Sequence, residues 1–215
     1  MIIDLSHDLT ENTPVYPGDP AVGLTVSKTL DADGYTAYTL RAGMHAGTHV
    51  DAPMHMTRSE KTIGSFGAGC FCGKCAVLDA RGKDAAGFMP EYAAAIRENE
   101  IILIRTGFDA YYSDPERYFG SHPVISPELA DILIEGRIKM LGMDTPSPDR
   151  HPFALHKKLL GNGIFLLENL TNLGAVPAGR ELELFAFPLK IGAEASPVRA
   201  VARVIYTNRY GVSRK

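Results

Sequence analysis

Residues 45 to 55 read His-Ala-Gly-Thr-His-Val-Asp-Ala-Pro-Met-His, three histidines and one aspartate in eleven positions. No packing requirement asks for that, and the spacing restricts the backbone sharply. In a straight strand His45, His49, Asp51 and His55 share a face, but four residues span about 13 Å. Two nitrogens on one zinc lie about 2.0–2.1 Å from the ion and hence only about 3–3.5 Å apart. A helix brings residues four apart to about 5–6 Å at Cβ. Gly47, the β-branched Thr48 and Val50, and Pro53 make a poor helix, however. The reading left is a curled loop, with Gly47 giving the backbone freedom to bend. His45, His49 and Asp51 can then converge on a divalent cation, while Pro53 turns the chain away and leaves His55 close by. Turn-capping or surface histidines are the ordinary alternative. Three of them with a carboxylate in one segment favour metal or catalysis.

Such a site needs further donors, and the chain offers two. His156 sits in an expected helix over Phe153 to Leu160, and Glu168 follows the apolar run Ile164-Phe165-Leu166-Leu167. A carboxylate there is costly to bury unless a cation or hydrogen bonds receive it, the alternative being a solvent-exposed strand end. His7, His122 and His151 lack such company and are expected at the surface or in turns. Cys70, Cys72 and Cys75 could form a thiolate or redox site. Structural zinc almost always wants four ligands and no fourth is obvious, so these read as small residues entering a strand.

Composition excludes more than it assigns. A net charge of -3 gives no electrostatic case for nucleic acid or an anionic membrane. The acidic start, Met-Ile-Ile-Asp-Leu-Ser-His-Asp, lacks the basic and apolar regions of a secretion signal. No apolar run approaches the roughly 20 residues needed to span a bilayer. The odd cysteine count argues against a disulfide framework. The chain is expected to be cytoplasmic.

With no repeat or flexible linker, residues 1–215 read as a single domain. Gly23 to Leu30 and Tyr35 to Leu40 look like strands joined by the turn-forming Asp31-Ala32-Asp33-Gly34. Ala76 to Asp79, Ile101 to Arg105, Ile138 to Leu141 and Ile164 to Leu167 are apolar runs of the kind buried strands show, and Val201 to Tyr206 reads as a closing strand. Ser126-Pro127-Glu128 is a helix start, stopped at Gly136. Strands outnumber helices, so the fold class is α/β of a mixed, strand-rich kind rather than a regular doubly wound one.

The signature His45-x-Gly47-Thr48-His49-x-Asp51-x-Pro53-x-His55 resembles that of the metal-dependent cyclase family, which includes bacterial kynurenine formamidase and isatin hydrolase. Further blocks resemble the family in order: Asp4 to His7, Pro14 to Pro20, Thr106 to Asp109, Gly142 to Asp149, Glu168-Asn169-Leu170 and Ser196 to Ala200. The resemblance implies a swivelling β/β/α arrangement with a mixed sheet. It also implies that His45, His49 and Asp51 bind a first metal, and that Asp51 bridges to a second held by His156 and Glu168. His55 would be the catalytic acid/base, and the protein a homodimer or larger homo-oligomer.

The implied reaction is hydrolysis of a small amide, N-formylkynurenine to kynurenine and formate. Imidazole with carboxylate suits Zn2+, one or two ions per chain, with Mn2+ close behind and Fe accepted. Tyr16, Asp19 and Phe66 are expected to line the substrate pocket, with Phe108 another candidate for stacking. Two departures, Pro148 where the formamidases usually have Val and the absence of Trp, keep open a cyclic amide such as isatin, a lactone or another small aryl amide. A binding protein that holds metal without turnover is the reading from another class.

Overall fold

The structure, a computed structural model, describes residues 1–206. Its elements begin with strand β1 (Ile2–Asp4) and a hairpin of β2 (Gly23–Lys28) and β3 (Ala37–Arg41) around the single-turn helix α1 (Leu30–Asp33). There follow β4 (His49–Asp51), β5 (Cys72–Asp79), β6 (Ala85–Ala86), α2 (Tyr92–Glu98), β7 (Ile101–Arg105), α3 (Pro115–Ser121) and β8 (Val124–Ile125). Then come α4 (Pro127–Glu135), β9 (Met140–Met143), α5 (Ala154–Gly161), β10 (Phe165–Glu168), β11 (Glu181–Phe185), β12 (Ala195–Pro197) and β13 (Val201–Ile205).

Nine strands form one curled sheet in the order β1-β13-β11-β5-β7-β9-β10-β4-β12. Its centre, β5-β7-β9-β10, is parallel, and both wings are antiparallel. Parallel strands need crossovers, and the helices on these crossovers cover one face of the sheet. That is why the central strands read as unbroken apolar runs. Ile102 and Ile104 of β7 pack with Leu129, Leu133, Leu159 and Leu160 under the helices. Ile101 and Leu103 point the other way, into a second core shared with Leu182, Leu184 and Val204 of the antiparallel wing. The single curled sheet thus packs helices on one face and folds its antiparallel wing over a core on the other, a mixed β/β/α arrangement.

Where the sequence carried strong local signals the elements follow them. The Ser126 side chain accepts from the Leu129 amide, and Pro127 opens α4. Gly136 ends that helix without a left-handed backbone (φ -68°); a side chain there would lie 2.5 Å from Ile96 Cγ2, so close packing selects the glycine. Asp31 to Gly34 makes a helical turn instead of a simple bend, because the Thr29 hydroxyl caps the Ala32 amide. No helix among the described residues is long and apolar enough to cross a membrane.

Gly142 in β9 is closely packed by core side chains: an added Cβ would sit 2.5 Å from Leu103 Cδ2 and 3.0 Å from Leu170 Cδ1. Gly142→Ala should therefore cost roughly 1–3 kcal/mol of stability. Urea unfolding should show a lower midpoint at unchanged slope; an unchanged midpoint would mean that the core yields freely there.

A buried donor cluster at the sheet edge

Gly47 adopts a left-handed backbone (φ 67°), and the bend it makes lets the chain enter β4 directly afterwards. The curl expected for residues 45–55 is thus confined to its start; His49 to Asp51 is a strand, held between β10 and β12. Alternate residues of a strand share a face, so His49 and Asp51 point together into the site while Val50 enters the core. The antiparallel register sets Glu168 of β10 opposite His49. Pro53 then starts a 3-10 turn that ends on His55, bringing its ring back beside His45 and His156, with centroids 4.2 and 5.3 Å away. Helix α5 supplies His156 from above.

The distances are short throughout. Asp51 Oδ1 lies 2.9 Å from His45 Nδ1 and 3.5 Å from His49 Nε2, and Asp51 Oδ2 is 3.2 Å from His156 Nε2. Glu168 approaches His49 Nε2 at 3.4 Å and His156 Nδ1 at 3.8 Å. His49, Asp51, His156 and Glu168 are all buried; His45 and His55 are half-buried. Glu168 is therefore no solvent-exposed strand end.

Burial alone would neutralise these groups, and their mutual fields decide otherwise. Burial lowers the His45 imidazole, but Asp51 with Glu168 and Glu194 more than offsets this and raises it to about 9. Burial raises Asp51, yet the surrounding histidines hold it well below the usual carboxylate range. Burial and the Asp51 charge both push Glu168 up. His55 goes the other way: burial lowers it to about 4, with the other histidines opposing the pull of Asp51. Two buried carboxylates here call for positive charge. Protons on histidine or a divalent cation can supply it, and the two compete.

Three buried polar atoms favour the cation. His49 Nε2 and Glu168 Oε1 have no hydrogen-bond partner, and Asp51 Oδ1 makes none of good geometry despite lying 2.9 Å from His45 Nδ1, although buried polar groups rarely go unpaired. Those same residues form a group whose ligand atoms all lie within 4.8 Å of one another, and His45, Asp51 and His55 form a second such group. Asp51 belongs to both. Separations of about 3–3.5 Å are what donors around one ion require, so the residues fit one or two divalent metals. Proximity pairs His49 with Glu168 and His55 with His45, a grouping different from the one the family resemblance implied. Neither group among the described residues contains a cysteine. Cys75 is buried and its thiol is pushed up to about 12, mainly by burial, which suits a packing role.

The cluster forms the floor of a cavity of about 240 Å³, room for one small molecule. Tyr16 and Asp19 line it. Phe66 does not: it packs edge-on against Phe165 in the core and borders a separate groove, because it lies beyond the turn that carries His55. Phe108 stacks near Tyr118 and is likewise outside the cavity lining. Phe119 and Phe153 form the aromatic wall with Tyr16, whose ring meets theirs edge-on at 5.6 and 6.5 Å. No sequence pattern singled out either phenylalanine. Ser147, whose hydroxyl lies 3.2 Å from His156 Nδ1, and Asn169 were at least within family-like blocks. His122, expected at the surface, is buried with Nε2 3.4 Å from the Asp149 carbonyl. His7 is half-buried and stacked on Tyr112, and His151 is exposed.

Comparison with known proteins gives the same direction. The sequence pattern of the cyclase family matches residues 3–150. Kynurenine formamidase of Salinibacter ruber is 33% identical over 210 residues, covering 94% of this chain and 97% of the relative. Isatin hydrolase A from Labrenzia aggregata, solved bound to benzyl benzoate, superimposes with a TM-score of 0.80 at 26% identity, covering 94% of this chain and 93% of its own. A protein described as a potential metal-dependent hydrolase with cyclase activity shares the fold, with a TM-score of 0.76 at 23% identity over 94% of this chain and 96% of its own.

Proposed function

The chain belongs to the cyclase family, and from that premise we propose that it is a metal-dependent amide hydrolase that converts N-formylkynurenine to kynurenine and formate. One observation carries the reading: unpartnered, buried imidazole and carboxylate atoms meet at the floor of a cavity walled by aromatic rings. A planar aryl amide matches such a wall. The near-full-length similarity to a kynurenine formamidase supports the formyl substrate.

His45, His49, Asp51, His156 and Glu168 would hold Zn2+ or Mn2+. A divalent ion bound there supplies Lewis-acid polarisation of the carbonyl and activation of water. The rest falls to the chain's own residues. His55, kept neutral by burial, has a free lone pair with which to take a proton from the attacking water. It then returns that proton to the aryl nitrogen as the C–N bond breaks, so that water ends as the hydroxyl of formic acid and the hydrogen of the amine. Tyr16, Phe119 and Phe153 orient the ring.

Dialysis against a strong chelator should remove turnover, and added Zn2+ or Mn2+ should restore it. Elemental analysis of natively prepared protein should find one or two equivalents per chain. Full activity in metal-free protein would reject the reading, and stoichiometric metal without turnover would leave a binding protein. A cyclic amide is the second reading, favoured by the likeness to an isatin hydrolase and by Pro148 in the 144–149 block. Spectrophotometric rates on N-formylkynurenine and isatin decide between them. We further read the protein as cytoplasmic, in keeping with its free thiols. It is also read as a homodimer or larger, in keeping with exposed Val26, Tyr38 and Leu40 on the hairpin. Light scattering tests the assembly.

A further inference from the structure

Two buried side chains outside the donor set act on it through a single carbonyl. The Gly47 oxygen lies 2.9 Å from His49 Nδ1 and 2.9 Å from Asn169 Nδ2. A carbonyl can only accept, so both nitrogens must carry the hydrogen. His49 is then the Nδ1–H tautomer, and its lone pair sits on Nε2, the buried atom without a hydrogen-bond partner. The alternative, with Asn169 donating to His49 Nδ1, has only a 3.4 Å contact in its favour.

Asn169 is itself fixed on every side. Its backbone is left-handed (φ 56°), a conformation asparagine tolerates better than most residues. Its carbonyl accepts from the Thr48 hydroxyl at 2.6 Å, and its amide donates to the Thr145 carbonyl at 3.1 Å. The Tyr118 hydroxyl donates to Asn169 Oδ1 at 3.0 Å, which turns the amide nitrogen toward Gly47. Tyr118, Asn169 and His49 are all buried, so water cannot replace these bonds cheaply.

We propose that Tyr118 and Asn169 are positioning residues that hold the Gly47 carbonyl against His49, setting its tautomer and aiming Nε2 at the cation. The inference rests on His49 being a metal ligand. Outer hydrogen-bond partners of ligand histidines typically contribute 10–100-fold in metal affinity. Asn169→Asp replaces the donor with an oxygen that repels the Gly47 carbonyl. Its Co2+ affinity, read by chelator competition, should fall by about 10–100-fold, and the visible absorption of the bound Co2+ should change. Tyr118→Phe keeps the ring in the core and should shift both readouts in the same direction by less, deciding the matter if Asn169→Asp does not fold. Variants that melt earlier but bind Co2+ within twofold of the parent, with an unchanged spectrum, would overturn the relay alone. A parent chain that takes up no Co2+ would instead remove the metal reading, and this inference with it.

Discussion

Asp51→Asn is expected to empty the metal centre and to reduce turnover by on the order of 10³-fold or more. A bound metal contributes several kcal/mol of transition-state stabilisation, and each 1.36 kcal/mol is a factor of ten in rate. Asp51 is the residue on which that contribution depends most. It is fully buried, it belongs to both groups of close donors, and its two oxygens face three histidines at 2.9 to 3.5 Å. Asparagine keeps the volume and removes the charge, so circular dichroism should report an intact fold. Metal analysis after desalting should then show little bound ion. Retention of a full complement of metal at parental rates would mean that the cation is held elsewhere.

His55→Ala is expected to behave in the opposite way, keeping the metal while kcat falls by about 10²–10⁴-fold, the usual contribution of a general acid/base. The question is sharp because His55 lies close enough to His45 and Asp51 to serve as a ligand. Its position at the end of a 3-10 turn, half-buried and facing the cavity, suits proton transfer. Metal content separates the two roles. A variant that loses its ion in proportion to its activity makes His55 a ligand, whereas a loaded and inactive variant makes it the base.

Much of the architecture could be read before folding, for particular reasons. Strands β7 and β10 show as unbroken apolar runs because parallel strands under crossover helices are buried on both faces. Helix α4 was legible because Ser126 and Pro127 satisfy a helix start by local bonding alone. The donor segment was legible because residues two and four apart on one short stretch must meet wherever Gly47 bends the chain. Each of these signals lies within eleven consecutive residues.

What escaped reading is what distant parts of the chain do to one another. Phe66 looked as suitable for stacking as Tyr16, yet it faces Phe165 in the core. Phe119 and Phe153 carry no periodicity that marks them, and α3 and the turn before α5 bring them to the cavity. His122 looked like a surface residue until Asp149 and Arg150 enclosed it.

The amino-acid order by itself determined the donor types, their close spacing around Gly47 and the alternation of apolar runs with helix caps, since those are local matters of backbone conformation and hydrophobic pattern. The tertiary structure alone decided that Glu168 faces His49 across a strand pair, that His156 closes the cluster from a helix, and that Asn169 reaches back to the Gly47 carbonyl. The reason is one of range: hydrogen bonds and ligand geometry act over about 3 Å, and only the curled sheet brings residues more than a hundred positions apart within that distance.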